Sequence, residues 1–222
     1  MTTVGFIGSG HIGAVVARLS VAAGYQVIMS NSRGPQTLTD LVGELGSLAE
    51  AATSEQAAAA GDLVVVAIPL RAYPSLPVAP LVGKVVIDAC NYYPQRDGQI
   101  AELDSESLTS SELIQQHLAG AEVVKAFNNI FYRHLLALSR PADAVVRSFL
   151  PVAGDDAGAK AQASAFLDAI GYGVVDAGPL AESWRQEPGT PVYGAPYGPF
   201  SDPAGRPADE ATVRAALAKA VR

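Results

Sequence analysis

Short runs of consecutive apolar residues alternate along this chain with stretches in which Ala, Leu and Val recur at helical spacing. Thr2 to Ile7 is a β-rich run ended by a glycine. Ile12 to Ala23 follows at helical spacing until Gly24, and Tyr25 to Ser30 returns to strand character. Strand, turn, helix and strand within about thirty residues is the span of one βαβ unit. The alternation continues with predicted strands at Leu63 to Ile68, Val85 to Asp88, Val123 to Phe127, Ser148 to Ala153 and Gly173 to Asp176. Predicted helices cover Ser54 to Ala60, Ser107 to Leu118, Ile130 to Leu138 and Ala157 to Ile170, with Gly120 and Gly171 as C-terminal caps. Unbroken apolar runs suit strands covered on both faces, so the pattern predicts an α/β fold, a doubly wound parallel sheet with crossover helices on both sides. From Gly178 the pattern stops, and a Pro-, Gly- and Tyr-rich stretch precedes a terminal helix from about Asp209. The expected division is a sheet domain over 1–178 and a loop-rich C-terminal cap over 179–222.

Composition narrows the function. Of 222 residues, 49% are apolar and 17% charged, enough for a core that needs no disulfide or metal. The net charge of -7 comes without a basic stripe, which argues against a nucleic-acid groove or an anionic membrane surface. Cys90 is the single cysteine and the three histidines are scattered, so neither a disulfide framework nor a zinc site is expected. The start lacks a basic n-region and no apolar run reaches membrane-spanning length, so a soluble cytoplasmic protein is expected.

Chemistry enters at the first turn. Gly8-Ser9-Gly10-His11-Ile12-Gly13 matches G-x-G-x-x-G between a predicted strand and a predicted helix. The first glycine permits the tight turn, the second clears space for a pyrophosphate, and the third lets helix and strand pack closely. The helix N-terminus then faces the phosphates. The domain over 1–178 is therefore expected to be a dinucleotide-binding Rossmann domain. After the second strand, where an NAD enzyme places a carboxylate for the ribose 2′-hydroxyl, this chain reads Asn31-Ser32-Arg33. A guanidinium pairs with a 2′-phosphate that a carboxylate would repel, so NADP(H) is the expected dinucleotide. The plainer reading is a polar loop leading into Gly34-Pro35.

Ligands of open α/β sheets lie beyond the carboxyl ends of the strands. Ile68-Pro69, Asn91, Phe127-Asn128 and Asp155-Asp156 occupy such positions. Pro69 stops its strand and borders the expected cofactor. Asn91 can hold a ribose or phosphate, Asn128 the nicotinamide carboxamide, and Phe127 can wall the ring; either asparagine can equally serve its own turn. Asp155 and Asp156 are expected to cap the next helix. Lys125 reads as a surface or salt-bridged lysine, His11 as solvent-facing or cofactor-facing, and His117 and His134 as helix-surface residues.

Taken together, GFIGSGHIG, VIMSNSRG, VVVAIPL, VIDACN, VVKAFNN, VAGDDAGAKA and IGYGVVDAGPLAESW resemble the NADPH-dependent coenzyme F420 reductase family, over about Thr3 to Tyr193. The same pattern recurs in the cytoplasmic reductase domain of the Steap metalloreductases. The resemblance implies hydride exchange between NADPH and a deazaflavin (F420) or a flavin (FMN or FAD), which depends on positioning two planar rings. It implies that Gly8, Ser9, His11 and Ile12 surround the pyrophosphate, and that Asn31, Ser32 and Arg33 meet the 2′-phosphate. Ile68 and Pro69 would lie beside the dinucleotide, with Asn91, Ala126 and Asn128 facing the nicotinamide. The chain departs from the family where Leu70 replaces a tryptophan and Asn128-Asn129 replace histidines. Two other functions are compatible with the same loop: NADP-dependent reduction of a small carbonyl or imine, with Lys125, Tyr132 or a cap tyrosine as proton donor, and non-catalytic NADP(H) sensing. The cap tyrosines and prolines also suit a homodimer contact.

Overall fold

The eight strands run β1 (Thr3–Ile7), β2 (Gln26–Ser30), β3 (Ala49–Ala51), β4 (Leu63–Val66), β5 (Val85–Asp88), β6 (Glu122–Lys125), β7 (Phe149–Gly154) and β8 (Gly173–Asp176). In a computed structural model that describes residues 1–222, they form one sheet in the order β3-β2-β1-β4-β5-β6-β7-β8. The helices are α1 (His11–Ala22), α2 (Thr39–Leu45), α3 (Ser54–Ala60), α4 (Pro94–Asp97), α5 (Ala101–Asp104), α6 (Ser110–His117), α7 (Tyr132–Ala137), α8 (Ala157–Ala169) and α9 (Glu210–Ala218).

Strand β4 and the first three positions of β5 are apolar throughout because successive side chains enter different cores. Val65 and Ile87 join a core of 36 buried residues on one face, while Val64, Val66 and Val86 join one of 14 on the other. Each such buried side chain contributes about 1.5–3 kcal/mol. Helix α8 meets the larger core through Ala159, Ala163, Phe166 and Leu167, spaced to share one helical face. Gly5 lies in β1 where an added Cβ would stand 2.2 Å from the Ala57 carbonyl oxygen, so α3 seats directly on the strand.

Strands β3 to β6 are parallel in the doubly wound order, as the α/β pattern predicts. The difference lies at the edge: β7 is antiparallel to β6, and β8 is parallel to β7. The carboxyl ends of β7 and β8 therefore point away from those of the other six strands. The run Phe149 to Gly154 is as apolar read backwards as forwards, so its pattern carries no direction.

Several predicted boundaries contract to their capping residues. The helix expected over Ser107 to Leu118 begins at Ser110, because Thr109 and Glu112 form a reciprocal capping box. Asp156 caps α8 by accepting from the Ala159 N–H at 2.7 Å, and Gly171 follows that helix with φ +104°; Gly120 keeps an ordinary φ. Residues 179–222 hold 3₁₀ turns at Leu180–Gln186 and Ala195–Tyr197 and then α9, and bury Val192, Tyr197, Val213 and Leu217 in the larger core. No helix is long and apolar enough to cross a membrane.

Candidate functional site

The turn after β1 is shaped by three glycines with different tasks. Gly8 adopts φ +112°, and a Cβ there would stand 2.2 Å from the Ala67 carbonyl oxygen. A Cβ on Gly13 would stand 2.2 Å from the Gly8 carbonyl oxygen. Gly8 and Gly13 are thus required by packing. A Cβ on Gly10 meets nothing within 4 Å, so its missing side chain opens space. Gly10 precedes α1 and gives that helix no side-chain cap, which leaves the first N–H groups of a twelve-residue helix available to an anion.

Two cavities flank this turn and share Gly10, Ala67, Ile68 and Pro69, so they form one cleft across the carboxyl ends of the parallel strands. The first, of about 620 Å³, is lined by Gly8, Ser9, Asn31, Ser32 and, from the start of α3, Thr53 and Ser54. Asn31 Nδ2 donates to Ser9 Oγ at 3.2 Å and to Thr37 Oγ1 at 3.0 Å. The Arg33 N–H donates to Asn31 Oδ1 at 2.9 Å. These bonds stiffen the β2 loop against the glycine turn. Arg33 lies beyond the lining residues, exposed, and its guanidinium has no carboxylate partner within the protein. The signal for Thr53 and Ser54 is the Thr53-x-x-Gln56 capping box that starts α3.

The second cavity, of about 430 Å³, brings together His11, Ile12, Asn91, Asn128 and the aromatic residues Tyr93, Tyr132 and Tyr193. His11 stacks on Tyr132 with ring centroids 4.2 Å apart and planes 11° apart, pinning α1 to α7 at the cleft wall. Asn91 Nδ2 donates to the Asn128 carbonyl oxygen at 2.9 Å, and Asn128 Nδ2 donates to Asn91 Oδ1 at 3.0 Å and to the Gln186 carbonyl oxygen at 2.7 Å. Asn128 Oδ1 is buried without a partner. Phe127, at φ +65°, turns the chain between β6 and this cluster. That turn corrects two expectations: Ala126 is fully buried in the larger core and does not face the cleft, and the Phe127 ring is equally buried, not a wall of the site.

Tyr93 and Tyr193 join their hydroxyls in a hydrogen bond at the same cavity. The Arg96 guanidinium carbon lies 4.9 Å from the Tyr93 ring centroid, and Arg96 donates to the Asn91 carbonyl oxygen at 2.7 Å and pairs with Asp97 at 2.8 Å. Burial, and then the hydrogen bond to Tyr93, push the Tyr193 hydroxyl well above the usual phenol range. Tyr93 and Arg96 carried no signal in the chain, because Tyr93 and Tyr193 are a hundred residues apart.

Beneath the asparagines, Lys125 and Asp88 form a fully buried ion pair at 3.0 Å. Lys125 Nζ also donates to the Cys90 carbonyl oxygen at 2.6 Å and Ser110 Oγ at 3.1 Å, so all three of its protons are engaged. Asp88 accepts from the Cys90 N–H at 2.8 Å and from Ser111 Oγ at 2.6 Å. Lys125 is thus a buried brace between β5, β6 and α6 and cannot serve as a proton donor in the cleft. Burial, with Asp88 nearby, pushes the Cys90 thiol up, which keeps it neutral.

Three polar positions sit elsewhere than their patterns imply. His134 is fully buried with Nε2 2.6 Å from the Asp202 carbonyl oxygen, not on a helix surface. His117 is half-buried with Nε2 3.1 Å from the Leu76 carbonyl oxygen. Asp155, at the reversed end of β7, is turned from the cleft and accepts from the Leu180 N–H at 2.8 Å.

Comparison with known proteins shows what the chain is similar to. Residues 3–92, which hold the glycine turn, the Asn31–Arg33 loop, Ile68-Pro69 and Asn91, match the family described as NADP oxidoreductase, coenzyme F420-dependent. No curated protein sequence matches the chain. A hypothetical protein of Sinorhizobium meliloti has the same fold at a TM-score of 0.78 and 28% identity, over 94% of this chain and 97% of that one. A candidate F420-dependent NADP reductase of Arthrobacter sp. FB24 superposes at 0.68 with 23% identity, over 83% and 87%. An imine reductase of Aspergillus terreus superposes at 0.60 with 18% identity, over 82% of this chain and 57% of its own length. The last two are likenesses of fold.

Proposed function

We propose that this protein, whose residues 3–92 match a family of NADP oxidoreductases, exchanges a hydride between NADPH and a deazaflavin or flavin acceptor. The observation that carries the reading is the single cleft. One lobe begins at Gly8 and Asn31, the other ends at Asn128 and Tyr193, and Gly10 and Pro69 join them. A dinucleotide laid across the strand ends suits this shape. The family's description supplies the F420 class of acceptor.

Each part of the cleft has a task under this reading. Gly10, Ser9, His11 and Ile12 receive the pyrophosphate at the uncapped start of α1, where the helix dipole favours negative charge. Arg33, with Asn31 and Ser32, binds the 2′-phosphate by charge-assisted hydrogen bonds. Ile68 and Pro69 flank the dinucleotide. Asn91 and Asn128 orient the nicotinamide carboxamide, for which the unpartnered Asn128 Oδ1 is a ready acceptor. The bound dinucleotide supplies the hydride; the chain supplies position and exclusion of water. Residues 179–222, which reach the cleft through Tyr193 and Phe200, act as its cap on the acceptor side.

The test is incubation of the protein and NADPH with F420, FMN and FAD in turn, followed at the nicotinamide absorbance. F420 is expected to give the fastest oxidation. Oxidation by a panel of small imines and carbonyls, with none by the three ring acceptors, would transfer the activity to imine or carbonyl reduction.

A further inference from the structure

Reduction of a deazaflavin, a flavin, an imine or a carbonyl consumes a proton as well as a hydride, and the glycine turn and asparagine pair provide none. We propose that Tyr93 is the proton donor of the cleft, with the Tyr193 hydroxyl holding the oxygen it leaves behind and Arg96 fixing its ring. The inference rests on the reading that NADPH binds this cleft and reduces an acceptor there.

The geometry assigns different tasks to the two tyrosines. Both line the nicotinamide-side cavity together with Asn91 and Asn128, so an acceptor beside the nicotinamide is within the same enclosure. Their hydroxyls share one hydrogen bond. With Tyr193 donating it, the Tyr93 proton is left free to point at the acceptor, and the Tyr193 O–H then stabilises the oxygen that Tyr93 leaves behind. Tyr193 suits the role of permanent donor because burial keeps its hydroxyl protonated far above neutral pH. The Arg96 guanidinium, paired with Asp97, lies 4.9 Å from the Tyr93 ring centroid and fixes the ring in place. Arg96 is also held by the Asn91 carbonyl oxygen, so donor and carboxamide site are tied into one loop.

The step balances. The hydride leaves C4 of the dihydronicotinamide and bonds to C5 of a deazaflavin or N5 of a flavin, the displaced electron pair moves to N1 of that ring, and N1 takes the Tyr93 proton. NADPH is oxidised to NADP⁺, the acceptor is reduced by two electrons, and the phenolate regains its proton from water after product leaves. With an imine or carbonyl, the hydride goes to carbon and the Tyr93 proton to nitrogen or oxygen.

The experiment compares wild type, Tyr93→Phe and Tyr193→Phe in single turnovers of NADPH with F420, FMN, FAD and an imine and carbonyl panel, in H₂O and D₂O. NADPH affinity and thermal unfolding are measured in parallel, and phenylalanine keeps the ring packing. The expected result is a loss of about 100-fold or more in hydride transfer for Tyr93→Phe and about 10-fold for Tyr193→Phe, as for removal of a general acid and its support. NADPH affinity stays within about 3-fold, and the solvent isotope effect of the wild type disappears in Tyr93→Phe. Turnover by Tyr93→Phe within about 3-fold of wild type, with the solvent isotope effect intact, overturns the proposal and leaves the ring-acceptor reading standing. Turnover of the imine or carbonyl panel alone, abolished in Tyr93→Phe, overturns the ring-acceptor reading and supports the donor. No turnover by wild type with any acceptor overturns both.

Discussion

Asn91 and Asn128 exchange amide hydrogen bonds across the ends of β5 and β6, at 2.9 Å and 3.0 Å, and this exchange leaves Asn128 Oδ1 buried without a partner. Such a group is costly in isolation and becomes satisfied when an amide N–H arrives. Replacing Asn128 with Ala is therefore expected to lower the single-turnover rate by about 10- to 100-fold through loss of ring position. NADPH affinity, set mainly at the phosphates, is expected to fall by less than about 5-fold. A rate unchanged by Asn128→Ala removes the carboxamide from this cluster.

The exposed Arg33 guanidinium, free of any carboxylate partner, leads to the second expectation. Arg33→Asp removes a charge-assisted bond to a 2′-phosphate, worth about 1.5–3 kcal/mol, and adds repulsion, so NADPH should weaken by well over about 10-fold. NADH lacks that phosphate and should bind as before or better. Titration with both nucleotides decides it, and equal losses for the two would sink the assignment.

How far the chain alone revealed these sites follows from distance along it. The glycine turn and the Asn31–Arg33 loop are each contiguous, so residue types and spacing alone mark them as candidates. Asn91 and Asn128 were legible as strand-end asparagines, whereas their mutual bonding depends on β5 lying beside β6 and on the positive φ of Phe127. That same turn sends Ala126 into the core, which no propensity of alanine signals. His134 looked like a surface residue because its partner, the Asp202 carbonyl, lies 68 positions away. The reversal of β7 was hidden for a different reason: a short apolar strand specifies its faces but not its direction.

Two glycines of the same motif should separate folding from binding. Gly8→Ala brings a Cβ to 2.2 Å from a backbone oxygen at φ +112°, and is expected to cost about 2–4 kcal/mol in denaturant unfolding. Gly10→Ala meets no atom within 4 Å, so its stability should change by about 1 kcal/mol or less while NADPH affinity falls about 100-fold. Retained NADPH affinity in Gly10→Ala would remove the pyrophosphate from the turn.

The Lys125–Asp88 pair is expected to act on stability and not on chemistry. Lys125→Met strands a buried carboxylate, at a cost of about 3–5 kcal/mol. Adding Asp88→Leu removes the stranded charge, so the double variant should cost less than the sum of the singles by about 1–3 kcal/mol, read in urea unfolding. Additive losses would mean that the two side chains do not sense each other.

The last expectation concerns acid. Burial tends to raise the Asp97 carboxyl, but hydrogen bonds from Arg96 and from the Tyr93 and Arg71 N–H groups outweigh it and hold the carboxyl below its usual range. The sign follows from the lowered value: ionised Asp97 stabilises the fold at every pH above the ordinary carboxylate range, and that contribution is lost as pH falls through the lowered value. Because Asp97 accepts from the Tyr93 N–H at 3.0 Å and pairs with Arg96, its protonation should loosen the loop that carries the proposed donor. Hydrogen exchange at the Tyr93 amide should therefore show less protection below about pH 4, after correction for intrinsic exchange rates. In Asp97→Asn the protection should be lower at neutral pH and flat through the acid range. A Tyr93 amide whose protection is the same in both proteins at all pH values would show that the carboxylate does not hold this loop.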